Sequence, residues 1–357
     1  MRFHAPYLEW AKMRPAARFD LAGSNVSSCT IDDLDGARDA LALNGANDNG
    51  YEPLVTAIAR RYGVTADRVA TANGAAGANF QAFAATIAPG DDVLIERPGY
   101  DPLIGAVRLL GANVVRFERR FEDGYALDPA AVAQALTPRT TLIVITSPHN
   151  PTGALADRAA LAEIGAIASR AGARVVVDEV YLDAADPSLH PSALLGAPFI
   201  STSSLTKSYG LSSLRCGWSL SIPAVAEHIR RARDVIDGSG AIATERLAAL
   251  AFAQLDRLEV RALALLETNR ALVYEFLRSH PVLEVVLPHR STVVFPRIRG
   301  VRDASAFADR LFAEHGTAVV PGRYFEAPAH FRLGFGGPTN TVREGLKRMG
   351  TVLDDLE

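Results

Sequence analysis

The sequence predicts an α/β protein built on a largely parallel sheet. Short β-branched runs alternate with Ala-rich stretches of helical period from about residue 50 to 220. The apolar runs are near-continuous, as in strands covered on both faces, and turn signals punctuate them at Pro89-Gly90-Asp91-Asp92 and Pro151-Thr152-Gly153. The predicted strands are Val93–Glu96, Asn113–Phe117, Leu142–Thr146, Arg174–Val177 and Phe199–Ser203. Between them Ala75–Ala88, Pro102–Leu110 and Asp157–Ala171 read as helices, the last capped by Asp157 and stopped at Gly172. After Trp218 the pattern shifts to amphipathic helices over Pro223–Ile236, Ala241–Leu255 and Leu258–His280, and strands return at Val282–Leu287 and Ser291–Pro296.

Length and charge bound the function. At 357 residues the chain holds about two domains at roughly 150 residues each. Lys and Arg total 37 against 40 Asp and Glu, a net charge of −3, so no basic excess points to nucleic acid or an anionic membrane. The two cysteines, Cys29 and Cys216, lie far apart and form no CxxC, so both are read as buried small apolar residues rather than a disulfide or a metal site. His4, Glu9, Lys12 and Arg14 interrupt the first twenty residues, no run of about 18 apolar residues occurs, and the sequence reads as a cytoplasmic protein.

The polar residues that carry chemistry sit in phase with the strands. Asn150 follows the strand ending at Thr146, Asp178 follows Val177, and Ser204 and Lys207 follow Ser203. The intervals, 178 − 150 = 28 and 207 − 178 = 29, are about one βαβ unit each. Each group therefore falls at the carboxyl end of a successive strand, where open parallel sheets bind ligands. Tyr181 lies three residues beyond Asp178.

Lys207, among small hydroxyl residues beside apolar strand ends, can lose its proton and act as an amine nucleophile. Arg215 stands inside an apolar run, Leu214-Arg215-Cys216-Gly217-Trp218, and needs an anion. The turn Asn73-Gly74-Ala75 opens a helix whose N–H groups make a second anion handle. Tyr100 ends another strand and can stack on a flat ring. An amine, a carboxylate, an amide, a phenol and a phosphate cradle are the requirements of pyridoxal phosphate. Asp178 would hold its ring nitrogen, and Asn150 and Tyr181 its phenolic oxygen.

In these residues the chain resembles the class I/II aminotransferases of pyridoxal-phosphate fold type I, over about Gly50 to Arg332. The matching segments are Ser147-Pro148-His149-Asn150-Pro151-Thr152-Gly153, Asp178-Glu179-Val180-Tyr181, Ser204-Leu205-Thr206-Lys207 and Leu214-Arg215-Cys216-Gly217. The resemblance implies a large domain, 45–257, with a mostly parallel seven-stranded sheet, and a smaller α+β domain made of 1–44 and 258–357. It implies that Lys207 carries the cofactor as a Schiff base, that Ser204, Arg215 and the Gly74–Ala75 backbone hold the phosphate, and that Tyr100 stacks on the ring. It also implies a homodimer. The segment Phe331-Arg332-Leu333-Gly334-Phe335 resembles the one whose arginine grips the substrate α-carboxylate, which agrees with an Arg facing inward from an apolar strand. Leu21-Ala22-Gly23-Ser24-Asn25 resembles the segment lining the substrate pocket and brings in Ser24.

The stretch before Gly50 departs from the family. Asn44-Gly45-Ala46-Asn47-Asp48-Asn49 lacks the tyrosine that reaches the partner's phosphate, and Tyr51 is on the wrong side of Gly50 to replace it. The expected reaction is transfer of an amino group between an α-amino acid and a 2-oxo acid by a ping-pong cycle. Decarboxylation, β-elimination, racemisation, amino-acid cyclisation and a histidinol-phosphate-type transamination share its first steps, and Arg14, Arg18 or Arg323 could serve a second substrate anion. From another class, Ser204-Leu205-Thr206-Lys207 spells the SxxK of acyl hydrolases, but the SDN-like and KTG companions are absent.

Overall fold

The computed structural model describes residues 4–355. Seven strands form one sheet: β1 Val69–Asn73, β2 Asp92–Arg97, β3 Asn113–Glu118, β4 Thr140–Thr146, β5 Arg174–Asp178, β6 Phe199–Ser204 and β7 Cys216–Leu220. Their order is β1-β7-β6-β5-β4-β2-β3, and only β7 runs against the others. The strands β2 to β6 match the expected five to within a residue or two. β1 and β7 are additions that the apolar-run criterion passed over, because Val69-Ala70-Thr71-Ala72-Asn73 and Cys216-Gly217-Trp218-Ser219-Leu220 are small or polar at alternate positions.

Alternation within the strands separates two cores. Val93, Ile95, Leu142, Val144 and Val176 face one side with Phe83, Leu103 and Ile229. Leu94, Ile143, Ile145, Val175 and Val177 face the other with Leu161, Ile164 and Ala168. Both faces are buried, as a sheet fed by helical crossovers requires. The described helices used below are α1 Pro6–Met13, α2 Glu52–Tyr62, α3 Gly74–Ala84, α4 Asp101–Leu109, α5 Arg158–Ala171, α6 Pro223–Ile236, α7 Ile242–Phe252, α8 Leu255–Ser279, α9 Ser305–His315 and α10 Thr339–Asp354. At α5 the Asp157 carboxylate accepts from Ala159 N and Ala160 N, and Gly172 closes the helix at φ +71°.

Four expectations need correction. The helix predicted over Ala75–Ala88 stops at Ala84, where Thr86 turns its hydroxyl back to Ala82 O at 2.7 Å ahead of Pro89. The break between the two helices expected over 241–280 falls three residues earlier, with Gln254 N bonding Ala251 O. The strands expected at 282–287 and 291–296 shrink to Leu283–Glu284 and Val293–Val294 and pair with different partners, Arg297–Ile298 and Phe331–Gly334. Cys216 is buried but Cys29 is only half-buried, with its sulfur facing Arg261.

A further core joins Leu21 and Val26 with α8, α9 and α10 and with Phe331 and Leu333. The chain from Leu21 to Cys29 threads between this core and the sheet. Gly334 N donates to Leu21 O, Val26 N to Lys207 O, Ser27 N to Gly336 O and Cys29 N to Gly210 O. Glycines make the approach possible, since a Cβ at Gly334 would lie 1.7 Å from Gly23 O. Gly334→Ala is therefore expected to cost about 1–3 kcal/mol in urea unfolding through forced backbone displacement. Gly337→Ala, with nothing within 4 Å, is expected to stay within about 0.5 kcal/mol of the parent.

Candidate active site

The carboxyl edge of the sheet opens into a cavity of about 500 Å³. Ala75, Tyr100, Asn150, Asp178, Tyr181, Ser204, Lys207 and Arg215 line it, with Leu8, Lys12, Asn79, Thr146 and Thr206. Gly74, Ser24 and Arg332 reach it through direct contacts with this set, so the residues expected to hold the cofactor and the α-carboxylate lie together here.

Asp178 ends β5 and is buried. One carboxylate oxygen accepts from Asn79 Nδ2 at 2.8 Å and the other from Val180 N at 3.2 Å, while Thr202 donates to Asn79 Oδ1 at 2.6 Å. Burial pushes this carboxyl above its usual range, against the pull of those donors and of Lys207. A protonated ring nitrogen is the partner such a carboxylate lacks.

Lys207 follows β6 in a bent loop, half-buried, and its Nζ donates to Ser24 Oγ at 2.9 Å and Asn25 Oδ1 at 2.6 Å. Tyr181 donates to the same Ser24 Oγ at 2.9 Å. Desolvation pushes the amine down to about 8; Arg332 and Arg215 add to the depression, and Tyr7 and Asp178 oppose it. Lys207 is one of three lysines in the chain, and the other two, Lys12 and Lys347, are exposed.

An anion cradle lies beside the amine. Gly74 opens α3 at φ +70° and donates its N–H to Arg215 O at 2.8 Å. Arg215, at φ +51°, gives its guanidinium only to backbone carbonyls, Ser212 O and Asn73 O. A Cβ at Gly74 would meet Arg215 Nη2 at 2.4 Å. Thr206 Oγ1 is buried on the cavity wall with no partner, two residues from Ser204. Helix N–H groups, an arginine without an acid and an orphan hydroxyl fit a phosphate.

Bonded to Asn150 from outside the lining, Arg332, fully buried in the strand Phe331–Gly334, makes no ion pair among the described residues. Its Nη1 donates to Asn150 Oδ1 at 2.9 Å, and its Nη2 to Tyr7 Oη at 2.7 Å and Ala22 O at 2.9 Å. A buried charged chain holds Asn150 from behind. Arg119 donates to Glu96 at 2.9 Å, the Thr146 hydroxyl donates to Glu96 at 2.5 Å, and Asn150 N donates to Thr146 Oγ1 at 3.0 Å.

Sequence reasoning missed Tyr7, Asn79, Thr206 and the Glu96–Arg119 pair. Thr206 stood inside the SxxK segment and could have been read there; the others come from distant parts of the chain. Arg14, Arg18 and Arg323 do not line the cavity: Arg14 pairs with Asp20, Arg18 lies over Phe19 and Arg323 over Tyr324. Tyr51 has its ring beside Arg246 and does not line the cavity.

The family model described as Aminotransferase class I and II matches residues 31–349. The chain belongs to the class I and II aminotransferase family. Members of this family depend on pyridoxal 5′-phosphate, and the cradle, Asp178 and Lys207 fit that group. The capreomycidine synthase of Streptomyces vinaceus is 31% identical over 364 residues, covering 98% of this chain and 93% of the relative. The arginine–pyruvate transaminase of Pseudomonas aeruginosa is 30% identical, covering 87% and 82%. The crystal structure of a PLP-dependent aminotransferase from Streptococcus suis superposes with a TM-score of 0.94 at 28% identity, covering 100% of this chain and 99% of that one.

Two outcomes are expected of the aminotransferase-family site. Covalent uptake of pyridoxal phosphate needs a neutral amine, so its rate is expected to rise with pH and level off near 8; a rise that continues to the ordinary lysine value of 10.5 would contradict the environment described for Lys207. Gly74→Ala is expected to raise the cofactor dissociation constant by about tenfold or more, the loss of one hydrogen bond to a charged group, measured by equilibrium dialysis.

Proposed function

We propose that the protein is a pyridoxal-phosphate-dependent aminotransferase that moves an amino group between an α-amino acid and a 2-oxo acid in a ping-pong cycle. The observation that carries this reading is the pairing of a desolvated amine with a buried guanidinium that has no acid. Lys207 and Arg332 are held by neighbouring positions of one strand of chain, Ser24 and Asn25 for the first and Ala22 for the second. An amino acid gripped at Arg332 by its carboxylate brings its Cα toward Lys207.

Each residue then has a defined task. Arg332 binds the α-carboxylate, and Asn150, steadied through Thr146 and Glu96, orients the guanidinium. Asp178, held by Asn79, would keep the ring nitrogen protonated; Tyr181 and Asn150 would bond the phenolic oxygen; Tyr100 would stack on the ring; Ser204, Arg215 and the Gly74–Ala75 backbone would hold the phosphate. When bound, the cofactor supplies an aldehyde for the amino group and a ring that stores the electron pair of the broken Cα–H bond. Lys207 Nζ would hold and carry the proton lost from the substrate Cα, and Ser24 keeps the amine in place.

The reading extends to a cytoplasmic homodimer with a large domain over 45–257 and a small one from 1–44 and 258–357. In its support, the two cysteines are free thiols. Leu41 and Leu43 are exposed just ahead of Asn44–Asn49, where a partner could cover them. The core shared by Leu21, Val26 and the C-terminal helices matches the discontinuous small domain.

A second reading is amino-acid cyclisation, favoured by the likeness to capreomycidine synthase over nearly the whole of both chains. It uses the same residues up to removal of the Cα proton. The two separate when the loaded protein meets single amino acids, arginine included, without any oxo acid. Transamination is expected to release one mole of 2-oxo acid per site with the nitrogen retained by the protein; a product of unchanged nitrogen content with no oxo acid would establish the second reading. Lys207→Ala is expected to abolish either turnover by removing the proton carrier, and Arg332→Gln to lower kcat/KM by about 10²-fold or more through the lost carboxylate contact.

A further inference from the structure

The hydrogen bonds of Arg332 leave little room for a carboxylate. A guanidinium offers two edges for bidentate binding, one formed by Nε with Nη2 and the other by Nη1 with Nη2, so both edges require a proton of Nη2. In Arg332 both Nη2 protons are engaged, by Tyr7 Oη at 2.7 Å and by Ala22 O at 2.9 Å. Nε is buried without a partner. The guanidinium can grip a carboxylate with two bonds only if one of the two acceptors withdraws.

Ala22 is the fixed one. It is buried, its N–H bonds Asp20 Oδ1, and the preceding Leu21 is stitched on both sides, to Ala318 O and Gly334 N. Tyr7 belongs to the eight-residue helix α1, which leans on α4 through a bond from Tyr7 N to Asp101 at 3.1 Å. The Tyr7 ring lies within 5.6–6.4 Å of Tyr100, Phe325, Trp10 and Tyr324, ring centre to ring centre. The same helix places Leu8 and Lys12 on the cavity wall. One phenol thus ties the helix beside the cavity to the cation bonded to Asn150 on its wall.

We propose that Tyr7 is a place-holder ligand of Arg332: its hydroxyl fills Nη2 while no substrate is bound, gives that position up to an α-carboxylate, and so loosens α1 as the carboxylate arrives. This rests on the reading of Arg332 as the carboxylate site. The ligand class is any monocarboxylate small enough for the cavity, amino acid or oxo acid, and the exchange makes neither a covalent bond nor a charge. Because the phenol competes with substrate, its removal strengthens carboxylate binding, whereas removal of an ordinary binding residue weakens it.

The test uses the cofactor-loaded protein and propionate, a carboxylate with no amino group to react. Amide hydrogen exchange over residues 5–14 is followed by mass spectrometry with and without saturating propionate, and propionate binding is measured by calorimetry. The wild type is expected to exchange faster over 5–14 when propionate is bound. Tyr7→Phe is expected to bind propionate about tenfold more tightly, as loss of a competing bond to a charged group predicts, and to exchange rapidly over 5–14 with or without the ligand. Binding by Tyr7→Phe that is unchanged or weaker, or wild-type exchange that stays constant or slows, overturns the proposal. Arg332→Gln separates the two levels: if it binds propionate like the wild type, the carboxylate site itself is misassigned, and if it loses binding while Tyr7→Phe gains none, only the role of Tyr7 fails.

Discussion

The site is short of negative charge, and the rest of the arrangement follows from that. Lys12, Lys207 and Arg215 line one cavity with Asp178 as the single carboxylate on its wall, and Arg332 reaches it through Asn150, a surplus of 4 − 1 = 3 positive charges. A buried guanidinium without an acid is costly unless something completes it. For the buried Arg332, neutral oxygens from Ala22, Tyr7 and Asn150 serve as partial substitutes, while the exposed Arg215 bonds Ser212 O and Asn73 O. A phosphate at one end and a carboxylate at the other would balance the charge, which is why the cavity reads as a site for an anionic cofactor and an anionic substrate together. Desolvation lowers the Lys207 amine into the range where it can exchange protons near neutral pH, with Arg332 and Arg215 assisting and Tyr7 and Asp178 opposing.

Holding these charges apart but in reach of one another is the work of the fold. The sheet supplies one wall, because β4, β5 and β6 end side by side and deliver Thr146, Asp178 and Ser204 at the same edge. Behind the lining stand Phe331–Gly334, bonded to Asn150 through Arg332, and Leu21–Cys29, the length of chain bonded to Lys207 and to Arg332. Ser24 and Asn25 touch Lys207, Ala22 touches Arg332, and Val26 N bonds the Lys207 carbonyl. Gly334, Gly336 and Gly210 leave the backbone the space this close threading needs. A shift of this segment moves both cations at once.

Much of this was legible in the sequence, and the omissions have physical causes. The strands β2 to β6 stood out as apolar runs, and the intervals of 28 and 29 residues were enough to assign Asn150, Asp178 and Lys207 to strand ends. β1 and β7 were silent because small and polar residues pack where neighbouring strands and α3 come close. Tyr7, Asn79 and the Glu96–Arg119 pair gave no local signal, since each acts through a partner between 23 and 325 residues away. Pairings at that separation depend on tertiary packing, which periodicity does not encode. Transamination and cyclisation stay on equal terms in the sequence for a similar reason: they share the residues that hold the cofactor and remove the proton, and differ in what the surrounding cavity permits afterwards.

The central claim, that Lys207 is the covalent anchor of the cofactor, is open to a direct measurement because the chain offers so few alternatives. With three lysines, two of them exposed, borohydride reduction of the pyridoxal-phosphate-loaded protein followed by peptide mapping gives an unambiguous answer. The account predicts one stable label per chain, on the peptide containing Lys207. Labelling of Lys12 or Lys347 instead, or a loaded protein that retains no label after reduction, would contradict it.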